Sequence, residues 1–221
     1  MARYVIIVAG GKGVRMNSDI PKQFLLLDGR PVLMRTLDAF YQASADIRIV
    51  LVLPENQFSY WENLKSQYDF TISHYLVKGG ETRFHSVQNG LNAIEGDGLV
   101  AIHDGVRPLV TPHIIEQSFI AAEKHGNAIV SVPVKESLRK VQETTNEAVN
   151  RSEFRIMQTP QTFKLSVIQT AFARVTSSDF TDDASVLEST GEKIHLINGD
   201  YRNIKITTVE DLLFAEALIK A

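Results

Sequence analysis

The sequence predicts an α/β fold: a doubly wound, mostly parallel sheet with a protruding β-hairpin arm. Three observations predict it. Near-continuous apolar runs at residues 4–8, 47–53, 99–102 and 128–134 alternate with segments of helical period. Uninterrupted apolar strands belong to sheets covered on both faces. Two of these runs lead straight into polar loops, Val8-Ala9-Gly10-Gly11-Lys12-Gly13-Val14-Arg15-Met16 and His103-Asp104-Gly105. Sheets of this kind bind ligands beyond the carboxyl ends of their strands. Between residues 137 and 163 the strand–helix rhythm fails, which sets the arm apart.

Each element has its own signal. Residues 31–40 carry Val32, Leu33, Leu37 and Phe40 at helical spacing, and residues 58–68 form a second helix. Residues 72–77 read as a third strand ending at Gly79-Gly80. Phe84, Val87, Leu91 and Ile94 mark a helix within 81–94. Thr111-Pro112 reads as N-cap and first helical position, and Gly126 closes that helix. Leu138, Lys140 and Val141, a polar turn at 144–147 and then residues 149–154 read as a hairpin, giving an arm at about 137–157. A lone hairpin is marginal, and pairing with a second copy is its natural remedy. Residues 165–175 form a helix, and Thr181 or Asp182 caps the next one. Residues 194–197 and 203–206 read as strands, and Thr207-x-x-Glu210 reads as a capping box before a closing helix at 212–219. With no repeat and no linker, residues 1–221 read as one domain plus the arm.

Composition excludes several classes. The chain has 221 residues, 44% of them hydrophobic and 22% charged, which is enough apolar material for a full core. Its net charge of -3 supplies no general basic field for nucleic acid. With no cysteine there is no disulfide, thiolate metal site or cysteine nucleophile. The six histidines show no metal-ligand spacing, so no histidine cluster is expected. No apolar run is long enough for a bilayer, and residue 4 already begins a strand, so a cytoplasmic protein is expected.

The chemistry gathers around the glycine loop. Glycines let the backbone turn sharply and approach a ligand, and successive bare N–H groups bind anions. Arg15 and Lys22 place two cations beside Ala9, Gly10, Gly11 and Gly13, a combination suited to a triphosphate. Neither the dinucleotide fingerprint nor the P-loop fits, because Met16 stands at the third glycine position and Gly13 follows Lys12. Asp104, at a strand end, can hold Mg²⁺ together with substrate phosphates, or simply cap a turn. Arg107 can grip a phosphate in a bidentate manner or be a surface cation. Lys205, flanked by isoleucines in a strand, reads on its own as a residue of the solvated face, and Arg151 as an edge charge. Residues 79–83, with Ser86 one turn further, are a strand-to-helix turn that could also read a base edge.

Taken in order, A-G-G-K-G-V-R-M…P-K-Q, G-G-E-T-R-F-H-S-V, H-D-G-V-R-P, T-P-Q, T-D-D-A-S and N-I-K-I-T resemble the 2-C-methyl-D-erythritol 4-phosphate cytidylyltransferase family, over residues 8–207. The resemblance implies a Rossmann-like nucleotidyltransferase that uses CTP, a small polyol phosphate and Mg²⁺, and works as a homodimer. It implies that Arg15, Lys22 and Lys205 are catalytic. Ala9, Gly10, Gly11, Gly13, Gly80, Glu81 and Ser86 would then bind nucleotide. Asp104, Arg107, Ser137, Arg151, Thr159 and Thr181 would meet the acceptor, with Asp104 also the metal ligand. Ser137 and Arg151 would reach the acceptor of the partner subunit. The A-G-G-K-G loop, where many members have P-A-A-G, also resembles ribitol-5-phosphate cytidylyltransferases, so the acceptor stays open. A nucleotide-sugar glycosyltransferase would need a D-x-D signature at a strand end, which is absent from the sequence. A non-catalytic nucleotide-binding module is the remaining alternative.

Overall fold

The alternation of side chains along each apolar run builds a sheet with two buried faces. A computed structural model of the chain describes residues 1–11 and 20–220. Its strands, in chain order, are β1 (Arg3–Val8), β2 (Leu26–Leu27), β3 (Arg30–Pro31), β4 (Arg48–Leu53), β5 (Tyr75–Lys78) and β6 (Leu99–Asp104). They continue with β7 (Asn127–Pro133), β8 (Arg139–Val141), β9 (Asn146–Ala148), β10 (Arg155–Lys164) and β11 (Leu196–Asn198). Seven form the main sheet in the order β11-β7-β10-β6-β1-β4-β5. All run parallel except β10, which is antiparallel to both β6 and β7.

In β1, Val5 and Ile7 enter one core layer while Tyr4 and Ile6 enter the other. Ile49 and Leu51 against Val50 and Val52 repeat this split in β4. The first layer is closed by Leu37 of α1 (Val32–Ala43), Trp61 of α2 (Phe58–Gln67) and Phe119 of α4 (Pro112–His125). The second is closed by Val87 of α3 (Arg83–Asn92), Ile168 of α5 (Leu165–Arg174) and Leu187 of α6 (Asp183–Glu188). Helices on both faces make the sheet doubly wound, as expected. A smaller cluster of Leu27, Val32, Val106, Ile206 and Ala215 seats α7 (Val209–Lys220). Among the described residues, no helix is long and apolar enough to cross a membrane.

The helix ends follow their side chains. Thr111 accepts from the Ile114 N–H, and Gly126 ends α4 at φ 89°, a conformation that costs glycine little. Asp182, one of the two candidates, caps α6 through a reciprocal box with Ser185.

Several sequence expectations need correction. The third strand is Tyr75–Lys78 rather than 72–77. The arm exists as β8 paired with β9, but its second limb is Asn146–Ala148, followed by a 3-10 turn at Arg151–Glu153, not a strand over 149–154. It ends before Arg155, because residues 155–157 already pair with β7. β10 was hidden by its glutamines and Pro160, which argue against a central strand. The cis Thr159-Pro160 bond lies within the register shift between Met157 and Gln161, where the ladder is interrupted. Residues 203–206 are irregular rather than a strand, and the Ile206 N–H reaches across to the Val106 carbonyl (2.9 Å). The last cap is displaced by one residue: Asp211 accepts from the Thr208 N–H (2.9 Å) and donates its own N–H to Thr208 Oγ1 (3.4 Å).

Gly90 marks the closest approach of α3 to the sheet. A Cβ there would stand 2.7 Å from Ile6 Cγ2 and 3.2 Å from Val52 Cγ2. Gly90→Ala should therefore lower stability by about 1–3 kcal/mol through overpacking, read as an earlier midpoint in urea unfolding. An unchanged midpoint would show that helix and sheet do not meet this closely.

Candidate active site

The chain leaves β1 between its two neighbours. The Ala9 N–H donates to the Val52 carbonyl (3.0 Å), and the Gly105 N–H donates to the Val8 carbonyl (2.9 Å). Gly10 and Gly11 follow. Lys22 opens a 3-10 turn, Lys22–Phe24, and is largely buried. A Cβ on Gly11 would come within 3.3 Å of Lys22 Cε, so bare backbone faces that side chain. Gln23 anchors the turn, its Nε2 donating to the Ala9 carbonyl (2.8 Å) and to Gln57 Oε1 (2.7 Å). The expected contributions of Gly13 and Arg15 lie outside the described residues.

Opposite stands the turn into α3. Gly80 has no room for a side chain, since a Cβ would lie 2.9 Å from the His85 carbonyl carbon. Ser86 Oγ accepts from the Gly80 N–H (3.0 Å) and donates to the Thr82 carbonyl (2.9 Å), so its hydroxyl shapes this loop. Between the two loops lies a cavity of about 190 Å³. Ala9, Gly10, Gly11, Lys22, Gly80, Glu81 and Ser86 line it, with Arg83, Asp104 and Lys205 among the other lining residues. A second cavity of about 260 Å³ lies beside it, lined by Arg83, Asp104, Arg107, Thr159, Thr181, Asp182 and Lys205 among others. Arg83, Asp104 and Lys205 belong to both.

Asp104 is the last residue of β6 and is nearly fully buried. Its Oδ2 lies 3.0 Å from Lys205 Nζ and 3.2 Å from Arg107 Nε, and its Oδ1 lies 3.6 Å from Arg83 Nε. Burial alone pushes the carboxyl up. Lys205, Arg83 and Arg107 together outweigh burial and hold it well below the usual carboxylate range. Arg83 is itself fixed by a fork onto Asp183, at 2.9 and 2.7 Å. Burial disfavours charge on the guanidinium, yet the Asp183 carboxylate overrides this and raises its pKa.

His103 supports this centre without carrying charge. Thr159 Oγ1 accepts the Asp104 N–H (3.1 Å), so its own hydrogen goes to His103 Nδ1 (3.1 Å). The His103 Nε2–H then donates to the Arg107 carbonyl (3.2 Å). Both ring nitrogens are satisfied in the neutral form, and burial pushes the pKa down to about 3 against the pull of Asp104.

The structure thus gathers Ala9, Gly10, Gly11, Lys22, Gly80, Glu81, Ser86, Asp104, Arg107, Thr159, Thr181 and Lys205 around two adjoining cavities. Ser137 and Arg151 lie exposed in the arm segment, outside both linings. Sequence reasoning assigned no role to the side chains of Arg83, His103 or Asn203, and read Asp183 with Thr181 and Asp182 as a helix cap first and a binding element second. Arg83 lay in plain view in the G-G-E-T-R string, but its distant partner Asp183 gave it no local signal.

Glycine backbone at the end of the first strand, facing the ion cluster around Asp104 on a doubly wound sheet, suits a nucleotidyltransferase. The profile of the 2-C-methyl-D-erythritol 4-phosphate cytidylyltransferase family matches residues 3–221. The Bacteroides thetaiotaomicron protein of that name is 48% identical over 219 residues, covering 99% of this chain and 100% of its own. Its Azobacteroides pseudotrichonymphae counterpart is 50% identical over 220 residues, covering 98% of each. The crystal structure of the Thermus thermophilus cytidylyltransferase of this name superposes with a TM-score of 0.82 at 31% identity, over 100% of both chains. That of a 4-diphosphocytidyl-2C-methyl-D-erythritol synthase from Anaerococcus prevotii gives 0.85 at 29%, over 99% of this chain and 98% of its own. The chain belongs to the 2-C-methyl-D-erythritol 4-phosphate cytidylyltransferase family.

The neutral His103 has a consequence for stability. Its folded pKa, about 3, lies below the ordinary histidine value of 6.5. The unfolded chain therefore takes up the proton first as pH falls, so its contribution is complete above pH ~6.5 and declines from there towards pH ~3. Between pH 7.5 and 5 this should remove about 2 kcal/mol of unfolding free energy. Urea unfolding at the two pH values checks it: His103→Gln, which keeps a donor and an acceptor, should show a correspondingly smaller loss. An equal loss in both proteins would mean that His103 is protonated in the folded state.

Proposed function

We propose that the chain transfers CMP from CTP to 2-C-methyl-D-erythritol 4-phosphate, giving 4-CDP-2-C-methyl-D-erythritol and pyrophosphate. The observation that carries this reading is the meeting of two cavities at Arg83, Asp104 and Lys205. One has the glycine backbone and Lys22 for a nucleotide, and the other has Arg107, Thr159 and Thr181 for a phosphorylated polyol. An acceptor phosphate oxygen attacks the α-phosphorus in line. A new P–O bond forms as the bond to the β-phosphate bridging oxygen breaks, and pyrophosphate leaves. No side chain is modified, so catalysis consists of alignment and of stabilising charge on the oxygens around phosphorus.

In this reading Arg15 and Lys22 steady the transferring and departing phosphates, and Lys205 faces the α-phosphate. Gly80, Glu81 and Ser86 form the wall against the nucleoside. Arg107, Thr159 and Thr181 receive the acceptor, joined by Ser137 and Arg151 from the arm of a second subunit in a homodimer. The exposure of β8 and β9 along their whole length favours such pairing. The reading places the enzyme in the cytoplasm.

Asp104 suits Mg²⁺. Its carboxylate is ionised, and Oδ1 is less tightly engaged than Oδ2, with Arg83 3.6 Å away. Among the described residues there is no group of three metal-ligating side chains. Mg²⁺ suits such a place because it takes one or two carboxylates and completes its shell with substrate phosphates and water. Bound there, the ion would neutralise charge developing on the phosphate oxygens.

Pyrophosphate release, measured with CTP and either 2-C-methyl-D-erythritol 4-phosphate or ribitol 5-phosphate, tests the acceptor. The former should be preferred, and a preference for ribitol 5-phosphate would overturn the assignment. Arg15→Ala and Lys22→Ala should each lower kcat about a hundredfold or more while keeping part of the CTP affinity. Unchanged turnover in both would remove them from the reaction.

A further inference from the structure

Lys205 is held in an unusual way. It lies in an irregular segment, its side chain is 40% exposed, and its Nζ must still stand 3.0 Å from Asp104. Packing of its own side chain therefore does little to fix it, and the backbone on either side must do so. On the carboxyl side Ile206 is fully buried, and its N–H donates to the Val106 carbonyl (2.9 Å). On the amino side the only fully buried polar side chain in the segment is Asn203.

Asn203 Nδ2 donates to the Thr159 carbonyl (2.9 Å) and to Gln158 Oε1 (3.3 Å). The orientation of both amides is forced. Gln158 Nε2 donates to the Asp200 carbonyl (2.8 Å), which leaves Oε1 to face Asn203. Asn203 must then present its NH₂ to two acceptors. Its own Oδ1 is buried and has no hydrogen-bond partner among the described residues. An orphaned acceptor is costly, so an apolar side chain would serve packing better. What the asparagine supplies in return is the clamp made by Nδ2. The backbone carbonyl of the same residue receives Arg107 Nη1 (2.8 Å).

We propose that Asn203 is a positioning residue for Lys205: its side-chain amide ties the irregular segment to the Thr159 turn and so sets the lysine over the reacting phosphate. The role at the phosphate rests on the function proposed above; the clamp itself does not. Asn203→Ala removes the amide and keeps the backbone carbonyl that holds Arg107. The segment then shifts at its amino side, and Lys205 loses its fixed distance to Asp104.

The test has a kinetic and a chemical arm. Asn203→Ala should lower kcat about ten- to a hundredfold, the scale of a misplacement near one ångström, with KM for CTP changed less than about threefold. In a Lys205→Ala background the same substitution should cost less than about twofold, because the group it positions is gone. An equal cost in both backgrounds overturns the proposal. Independently, Lys205 should be acylated several times faster by an amine-reactive ester in Asn203→Ala than in the unaltered protein, followed by peptide mass spectrometry. Unchanged labelling overturns the clamp even if the enzyme's substrate proves different. Should Asn203→Ala fail to fold, Asn203→Ser, which retains a small hydrogen-bonding group but not the reach to Thr159, is read by the same criteria.

Discussion

One buried carboxylate organises the functional end of this sheet. Asp104 closes a fully covered strand, where an unpaired charge would be intolerable. Three cations from three separate places in the chain, Arg83, Arg107 and Lys205, converge on it. Each arrives from a segment with its own reason to be there: a helix start, the turn after the strand itself, and an irregular stretch near the carboxyl terminus. The ion cluster therefore does two things. It makes the burial of Asp104 tolerable, and it gathers positive charge where the two cavities adjoin.

That local charge contrasts with the whole molecule. The chain carries a net charge of -3, yet Arg83, Arg107 and Lys205 converge on the single carboxylate of Asp104. Under the proposed function these cations would meet the anionic substrates locally, with no basic field over the whole molecule. Neutral His103 fits the same economy. It braces Thr159 and the Arg107 carbonyl through hydrogen bonds and adds no further charge.

How much of this was legible in the sequence depended on the range of the signal. The strands β1, β4, β6 and β7 declared themselves through continuous apolar runs, and α4 through Thr111 and Gly126, because those signals are local. β10 stayed hidden because its buried Gln158, Thr159 and Gln161 are stabilised by distant partners that no local pattern reveals. The polar residues by the loops, Lys22, Asp104 and Lys205, could be named individually from their motifs. Their shared centre could not, nor could the Arg83–Asp183 fork, whose partners lie 100 positions apart. Asn203 was visible only as a letter in a motif, since its importance lies in which carbonyls it meets.

The adjoining cavities share Arg83, Asp104 and Lys205 in their linings. Under the proposed function, a ligand held in the nucleotide cavity would touch side chains that also line the polyol cavity. Joining fragments for the two compartments would give a molecule that loses its translational freedom once instead of twice, and its second half would bind at a high effective concentration. The same contiguity makes a tethered bisubstrate compound a natural inhibitor scaffold for this enzyme.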